Sequence, residues 1–175
     1  MDKLRYPIGR FSRPETLSAE QRRQAISAIE EAPQRLRAAI LGLSEEQLDT
    51  PYRSAGWTVR QLVHHMPDSH LNAYTRLKLA LTEDEPALRG YDEKRWAELP
   101  EARTAPVDVS LDLLDALHGR WVLTLRALKP EDWQRKMKHA EMGPITVDTL
   151  IALYAWHGRH HTAHINGLRQ REGWL

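Results

Sequence analysis

Apolar residues recur at helical spacing in four segments of the chain, and each segment carries a signal for the start or end of a helix. In the first segment, Ser18 and Gln21 form the pattern of a capping box, so we predict that the first helix begins after Ser18. Its apolar positions continue to Leu43 at spacings of three and four residues. Pro33 lies inside this segment and is expected to kink the helix or to restart it.

The second predicted helix begins after Thr58, a residue suited to an N-cap, and runs to about Leu81. Pro67 lies inside it, so we expect a bend at that point. The following stretch, residues 82–108, is polar and dotted with prolines, and a short helix is predicted from Glu93 to Leu99. A connection of this length permits a crossover between the second and third long helices.

The third predicted helix runs over Ser110–Leu128, and the fourth begins at Thr146 or Val147 and ends near Arg171. Between them, Gly143 followed by a proline predicts a turn or a small β-hairpin before the fourth helix. Four amphipathic helices with almost no strand predict an all-α fold. We therefore expect a four-helix bundle with a long crossover between helices two and three.

The length of the chain fits one domain. Its 175 residues are enough for a proper hydrophobic core, and no repeat, low-complexity tract or linker divides them. We therefore predict a single domain over residues 1–175. The start of the chain, residues 1–17, is rich in proline, glycine and arginine and is expected to form an extended N-terminal arm.

Charge and composition exclude several classes of protein. Lys plus Arg total 25 and Asp plus Glu total 24, so the net charge of +1 gives no reason to expect nucleic acid or a membrane as a partner. The chain has no cysteine, which excludes disulfides, thiolate ligands and a cysteine nucleophile and fits a reducing cytosol. No apolar run resembles a signal peptide or a membrane span, so a soluble cytoplasmic protein is expected.

Histidine is the residue type that carries candidate chemistry. The chain has nine histidines, four of them between positions 157 and 164 and three between positions 64 and 70. His157 and His161 lie on the inward stripe of the fourth helix, where a bundle ordinarily places leucine or isoleucine. Four residues advance a helix by one turn plus roughly 40° and by about 6 Å, so both imidazoles can reach one ion.

Core histidines without a metal are the alternative interpretation. Each buried imidazole needs partners for both ring nitrogens, and a metal ion satisfies one nitrogen on every ring that it binds. A third ligand is expected from the second helix, where His65 lies on the inward stripe while His64 points about 100° away. We therefore predict one divalent ion, held by His65, His157 and His161.

Other residues are candidates for supporting roles. Asp68 is a candidate general base, fourth ligand or partner that orients an imidazole, and a solvated helix residue is the alternative. His118, His164 and Arg159 are candidates for the pocket or for contacts behind the ligands, with core packing or simple exposure as the alternative. The weaker histidine candidates, expected to be structural or exposed, are His70, His139 and His160.

The segments WTVRQLVHHMPDSH and, far downstream, YAWHGRHHTAHI resemble the DinB-like superfamily of metal-binding four-helix bundles. Within it they are most similar to the YfiT group of metal-dependent hydrolases, which are related to bacillithiol S-transferases. The resemblance covers nearly the whole chain and includes YPIG, LDTPYR, GWTVRQ, YDEK and LHGRW in that order.

The resemblance implies a cytoplasmic homodimer with one zinc- or nickel-type ion per subunit. By position, the family's three ligands fall on His65, His157 and His161. Pro67 departs from the family, which more often carries a residue such as alanine there, and this puts the shape of the pocket in question.

Three histidines leave an open coordination position, as in catalytic zinc sites. The favoured hypothesis is therefore a hydrolase in which the ion, zinc before nickel, activates water against a small-molecule substrate. The first alternative is an S-transferase in which the ion stabilises the thiolate of a low-molecular-weight thiol cosubstrate, with Arg53, Arg60 or Arg159 holding its carboxylates. The second is a non-catalytic, metal-stabilised binding module, which a fourth ligand from Asp68 would favour.

Overall fold

A computed structural model, which describes residues 2–140 and 142–174, contains the four long helices that the sequence predicts. These are α2 (Ala19–Ile40), α4 (Val59–Thr82), α7 (Asp108–Arg126) and α8 (Val147–Glu172). The short helices are α1 (Asp2–Arg5), α3 (Glu45–Leu48), α5 (Glu93–Ala97) and α6 (Pro100–Thr104), and a 3-10 helix covers Pro130–Gln134. Met1, the first residue of the predicted arm, and Leu175 lie outside the described residues, as does Glu141.

Capping boxes set the starts of two long helices, at Ser18, where the sequence predicted one, and at Thr58, where it predicted only an N-cap. The Ser18 hydroxyl accepts from the main-chain N–H of Gln21 at 3.2 Å, and the Gln21 side chain accepts from the N–H of Ser18 at 2.8 Å. Thr58 and Gln61 make the same reciprocal pair at the start of α4. These bonds satisfy N–H groups that a helix end otherwise leaves without partners.

Both helices that contain an internal proline continue through it. Helix α2 does not restart at Pro33, and α4 is continuous through Pro67. A proline has no N–H, so it cannot bond to the carbonyl four residues earlier. In α2 this leaves the carbonyl of Ile29 without its helical donor, a point that matters at the functional site.

The long helices are arranged so that neighbours in the chain are not neighbours in space. Helix α8 packs against α2 and α4, and α7 packs against the same two helices. The successive pairs α2 with α4 and α7 with α8 therefore lie across the bundle from each other, on its diagonals.

The crossover and the hairpin are both present and together build a small sheet. The crossover between α4 and α7 carries α5, α6 and a two-residue strand, β1 (Ala87–Leu88). The predicted hairpin consists of β2 (Lys136–His139) and β3 (Gly143–Thr146), paired antiparallel. Strand β1, which the sequence does not predict, pairs parallel to β2.

The N-terminal segment differs in part from the predicted extended arm, because its first residues form the helical turn α1. The remainder, up to Leu17, is mostly without regular structure and lies along α8. His164 donates from Nε2 to the carbonyl of Arg5 at 3.1 Å, and the N–H of Leu17 donates to the fully buried Asp148 at 3.1 Å. Asp148 also forms an ion pair with Arg22 at 2.7 Å. These contacts hold the segment against the bundle.

The core of the bundle consists of two apolar clusters. One lies beside the small sheet and contains Trp121, Met137 and Ile151. The other lies towards the opposite end and contains Leu36, Leu62 and Leu114. Among the described helices, none combines the length and the hydropathy that a bilayer crossing requires.

Candidate metal centre

A group of histidines lies between the two apolar clusters. We call this group the histidine layer. Its members are His64, His65 and His70 on α4, His118 on α7, and His157, His160, His161 and His164 on α8. Helix α2 has no histidine and contributes the carbonyl of Ile29 instead. All four long helices therefore meet at this layer.

The structure brings the three predicted ligands together with their Nε2 atoms converging. His157 Nε2 lies 3.3 Å from His65 Nε2 and 3.2 Å from His161 Nε2. Ligand atoms of all three lie within 4.8 Å of one another. Two nitrogens bound tetrahedrally to one zinc at about 2.0–2.1 Å lie about 3.3 Å apart, so the observed separations fit a single ion.

Burial keeps these imidazoles neutral. It lowers the pKa of His65 to about 4, and it lowers the pKa values of His157 and His161 well below the ordinary value. A neutral imidazole has one bare ring nitrogen, which is the form that binds a metal. The Nδ1 of His161, the ring nitrogen on the side away from His157, is buried and has no hydrogen-bond partner among the described residues.

Two further histidines stand behind His157. His157 Nδ1 lies 3.0 Å from His70 Nε2, and His70 Nδ1 lies 2.8 Å from His118 Nε2. His118 Nδ1 donates to the carbonyl of Ile29 at 2.5 Å. His118 therefore lies behind the ligands, one of the placements that the sequence suggested, and does not line the cavity.

Sequence reasoning underrated His70, which is fully buried and joins His118 to a candidate ligand. The available signal was its position five residues after His65 on a helix whose inward stripe already carried a histidine. That signal does not say which residue of α7 faces His70, since the facing residue depends on how the two helices are aligned.

A cavity of about 760 Å³ opens onto the three candidate ligands. Its charged lining residues are Arg5, Arg53, Glu93, Lys94 and Glu98, and its aromatic lining residues are Tyr6, Tyr52, Trp57 and Trp156. The mixture of cations, carboxylates and rings suits a small polar molecule that carries charge of its own.

His164, a predicted pocket residue, does line this cavity. It stacks on Tyr52 with a centroid separation of 4.1 Å. Because its Nε2 donates to the carbonyl of Arg5, its Nδ1 is the bare nitrogen, and this atom has no partner among the described residues. His160, His161 and His164 also lie close enough to share an ion. His161 is common to both groups.

Asp68 is not brought to the three histidines and is absent from the cavity lining. Its carboxyl is half-buried, and burial followed by the charge of Glu101 raises its pKa to about 6. Helix α4 is buried on several faces, and the charged neighbour that acts on Asp68 is Glu101 of the crossover helix α6. The predicted role of Asp68 as base or fourth ligand is therefore not supported.

Only one of the three arginines proposed to hold a substrate lines the cavity. Arg53 lines the cavity, whereas Arg159 is exposed beside a separate groove. The guanidinium of Arg60 is buried against Glu45 and Asp49, so it is not available to a substrate. Another weaker candidate, His139, lies on strand β2, outside the histidine layer.

The raised pKa of Asp68 predicts that Asp68→Asn increases the stability of the protein by an amount that depends on pH. The folded state holds the proton more tightly than the unfolded chain, whose carboxyl has the ordinary pKa of 3.8. This contribution to stability is present below pH 4 and is lost as the pH rises through about 6. We expect Asp68→Asn to stabilise the protein at pH 8 by about 1 kcal/mol, a figure reduced for its partial exposure.

The measurement for this prediction is urea unfolding at pH 8 and pH 5. The gain should be clearly smaller at pH 5, and the exposed Asp84→Asn should change little at either pH. An equal effect of Asp68→Asn at both values would contradict the assignment.

Comparison with known proteins agrees with this fold. The model of the DinB superfamily matches residues 28–165, and the chain belongs to that superfamily. Proteins of Bacillus mycoides strain KBAB4 and Bacillus cereus strain B4264 are each 52% identical over 174 residues, covering 99% of this chain and 100% of theirs. Both carry the name "Putative metal-dependent hydrolase".

Two solved structures share the architecture. YfiT from Bacillus subtilis, described as a probable metal-dependent hydrolase with an unusual four-helix bundle topology, is 48% identical, with a TM-score of 0.96 and 99% of each chain covered. The four-helix bundle protein TT2238 is 18% identical, with a TM-score of 0.55 over 87% of this chain and 98% of that one, and it supports the fold alone.

Proposed function

We propose that this protein is a metal-dependent hydrolase that holds one divalent ion, zinc in the first place and nickel in the second, through the Nε2 atoms of His65, His157 and His161. The observation that carries the proposal is the convergence of these three nitrogens at separations of 3.2 and 3.3 Å. Three neutral ligands at the foot of an open cavity leave room for a substrate, as catalytic sites do and closed structural sites do not. The names of the relatives point in the same direction.

The ion, when bound, supplies Lewis acidity, which polarises a substrate oxygen and lowers the pKa of water. The residues around it perform the other tasks. Arg53 and Lys94 are placed to hold an anionic group of the substrate in the cavity. Trp57, whose ring centroid lies 4.7 Å from that of His65, lines the cavity beside this ligand.

For the role of proton acceptor, for which the sequence offered Asp68 as a candidate, we propose His164. Its Nδ1 is bare because Nε2 is committed to the carbonyl of Arg5, and the ring lines the cavity. Burial lowers its pKa to about 4, so the ring is neutral at pH 7 and Nδ1 can accept a hydrogen bond. Stacking on Tyr52 holds it in that orientation.

The experiment that tests the proposal is an activity screen of zinc-loaded protein against small esters and amides. The same protein is assayed after chelation and again after zinc is restored, beside the variants His65→Ala and His64→Gln. We expect metal-dependent hydrolysis that His65→Ala abolishes. His64 is the matched control, because it is equally buried on the same helix but bonds to Ser110 and to the Ala105 carbonyl.

The same screen separates the alternatives that the sequence left open. Each reaction is repeated with a low-molecular-weight thiol and an electrophile. Zinc-dependent consumption of the thiol without hydrolysis would replace the proposal with an S-transferase. A protein that binds zinc but catalyses neither reaction would favour the metal-stabilised binding module.

A further inference from the structure

A line of hydrogen bonds runs from the main chain of α2 across the core to the candidate metal centre. It begins at the carbonyl of Ile29, which has no helical donor because position 33 is a proline. His118 Nδ1 donates to this oxygen at 2.5 Å. The line continues through His70 and ends at His157, with nitrogen separations of 2.8 and 3.0 Å.

The carbonyl at one end fixes the position of every proton along the line. A carbonyl only accepts, so His118 carries its proton on Nδ1 and leaves Nε2 as an acceptor. His70 must then donate from Nδ1 to His118 and accept at Nε2. His157 in turn donates from Nδ1 to His70, which leaves the Nε2 of His157 with a bare lone pair.

We infer that His70 and His118 are positioning residues that lock His157 into the tautomer whose Nε2 faces His65 and His161. The positioning role rests on the proposed metal site, whereas the proton positions follow from the hydrogen bonds alone. A partner that accepts from the far nitrogen of a ligand imidazole fixes the orientation of the ring and raises its basicity. Here that partner is itself fixed by a third ring and by the backbone.

Packing alone does not explain this arrangement. His70 is fully buried and His118 is 1% exposed, so a leucine at either position could fill much of the same space without any polar group to satisfy. His64, by contrast, is a buried histidine whose hydrogen bonds go to Ser110 and Ala105 and not to the candidate centre. The ring nitrogens of His118, His70 and His157 instead contact only one another, the Ile29 carbonyl and the candidate centre.

The first test reads the proton positions directly in the metal-free protein. Long-range proton–nitrogen NMR spectra of the histidine rings distinguish a protonated Nδ1 from a protonated Nε2. We expect Nδ1–H on His118, His70 and His157. An Nε2–H form of His70 or His118, or a mixture of the two forms, overturns the inference. Because no metal is present, this result does not depend on whether the proposed function is right.

The second test measures zinc affinity against a competing chelator. His70→Leu is expected to weaken zinc binding about 10–100-fold, the usual cost of removing the partner of a ligand histidine. His70→Gln keeps an amide oxygen that can accept from His157 Nδ1–H, and it should recover part of that loss. His64→Leu removes an equally buried histidine of the same helix and should leave the affinity unchanged. Circular dichroism and thermal unfolding verify that each variant is folded.

The outcomes separate the two proposals. Wild-type zinc affinity in folded His70→Leu, or equal losses in His70→Leu and His64→Leu, would show that His70 has no specific role. A wild-type protein that does not bind zinc would refute the proposed function, while the NMR spectra would still decide the proton positions.

Discussion

His157→Ala is expected to reduce bound zinc from about one equivalent per chain to nearly none. Its Nε2 lies between those of His65 and His161, at 3.3 and 3.2 Å, so it is the central member of the three candidate ligands. Two histidines left on different helices, α4 and α8, do not form a tight zinc site. The measurement is elemental analysis of protein purified without a histidine tag and dialysed against trace zinc.

The same variant should lack the thermal stabilisation that we expect zinc to give the wild type. A ligand at a hundred times its dissociation constant adds about 2.7 kcal/mol, which raises the Tm of a protein of this size by about 5–10 °C. His157→Ala should show no such rise, whereas His139→Ala, a change on strand β2 outside the histidine layer, should show all of it. A full equivalent of zinc retained in His157→Ala would refute the assignment of the three ligands.

Gly158→Leu is expected to destabilise the protein by about 1–3 kcal/mol, the usual cost of forcing extra carbons into a packed core. Gly158 lies where α8 crosses α2, and a Cβ placed there would meet the Cβ of Ala32 at 3.1 Å. A leucine therefore has no space unless the two helices separate. Separation would also carry Ile29 away from His118, so zinc affinity should fall together with stability.

Gly167 on the same helix is the matched control for this prediction. A Cβ at Gly167 meets only the end of the Arg171 side chain, at an ordinary distance of 3.5 Å. Gly167→Ala should therefore stabilise the protein by up to about 1 kcal/mol, the difference in helix propensity. Chemical unfolding measures both changes. Stability that is unchanged in Gly158→Leu would show that α2 and α8 can separate at little cost.

Local signals in the sequence were sufficient for much of the fold. The capping residues Ser18 and Thr58 mark helix starts because a cap depends on residues three positions apart, which any reader of the chain can see. The turn at β3 was also predicted from a local signal, Gly143 followed by a proline. Strand β1 was not predicted, because two residues form a strand only through their pairing with Lys138 and His139, some fifty positions later.

The candidate site was predictable where its geometry is set within one helix. His157 and His161 share a face of α8 by spacing alone, and the structure places His65 beside them. The same reasoning did not predict the position of Asp68. Helix α4 is buried on most of its circumference, so its apolar pattern does not single out one inward face. The bond between His70 and His118 depends on the alignment of two helices, which no local pattern encodes.

The diagonal arrangement of the helices has a consequence for the order in which the protein can assemble during synthesis. Helices α2 and α4 leave the ribosome early, yet each buries its apolar face against α7 and α8, which are made later. Until α8 emerges, the growing chain has a row of helices with an open side, and His65 and His70 of α4 face that side. Two of the three candidate ligands also arrive only with α8. Before α8 is made, the chain therefore lacks two of the three ligands of the proposed ion, and we expect the ion to bind only once α8 has joined the bundle.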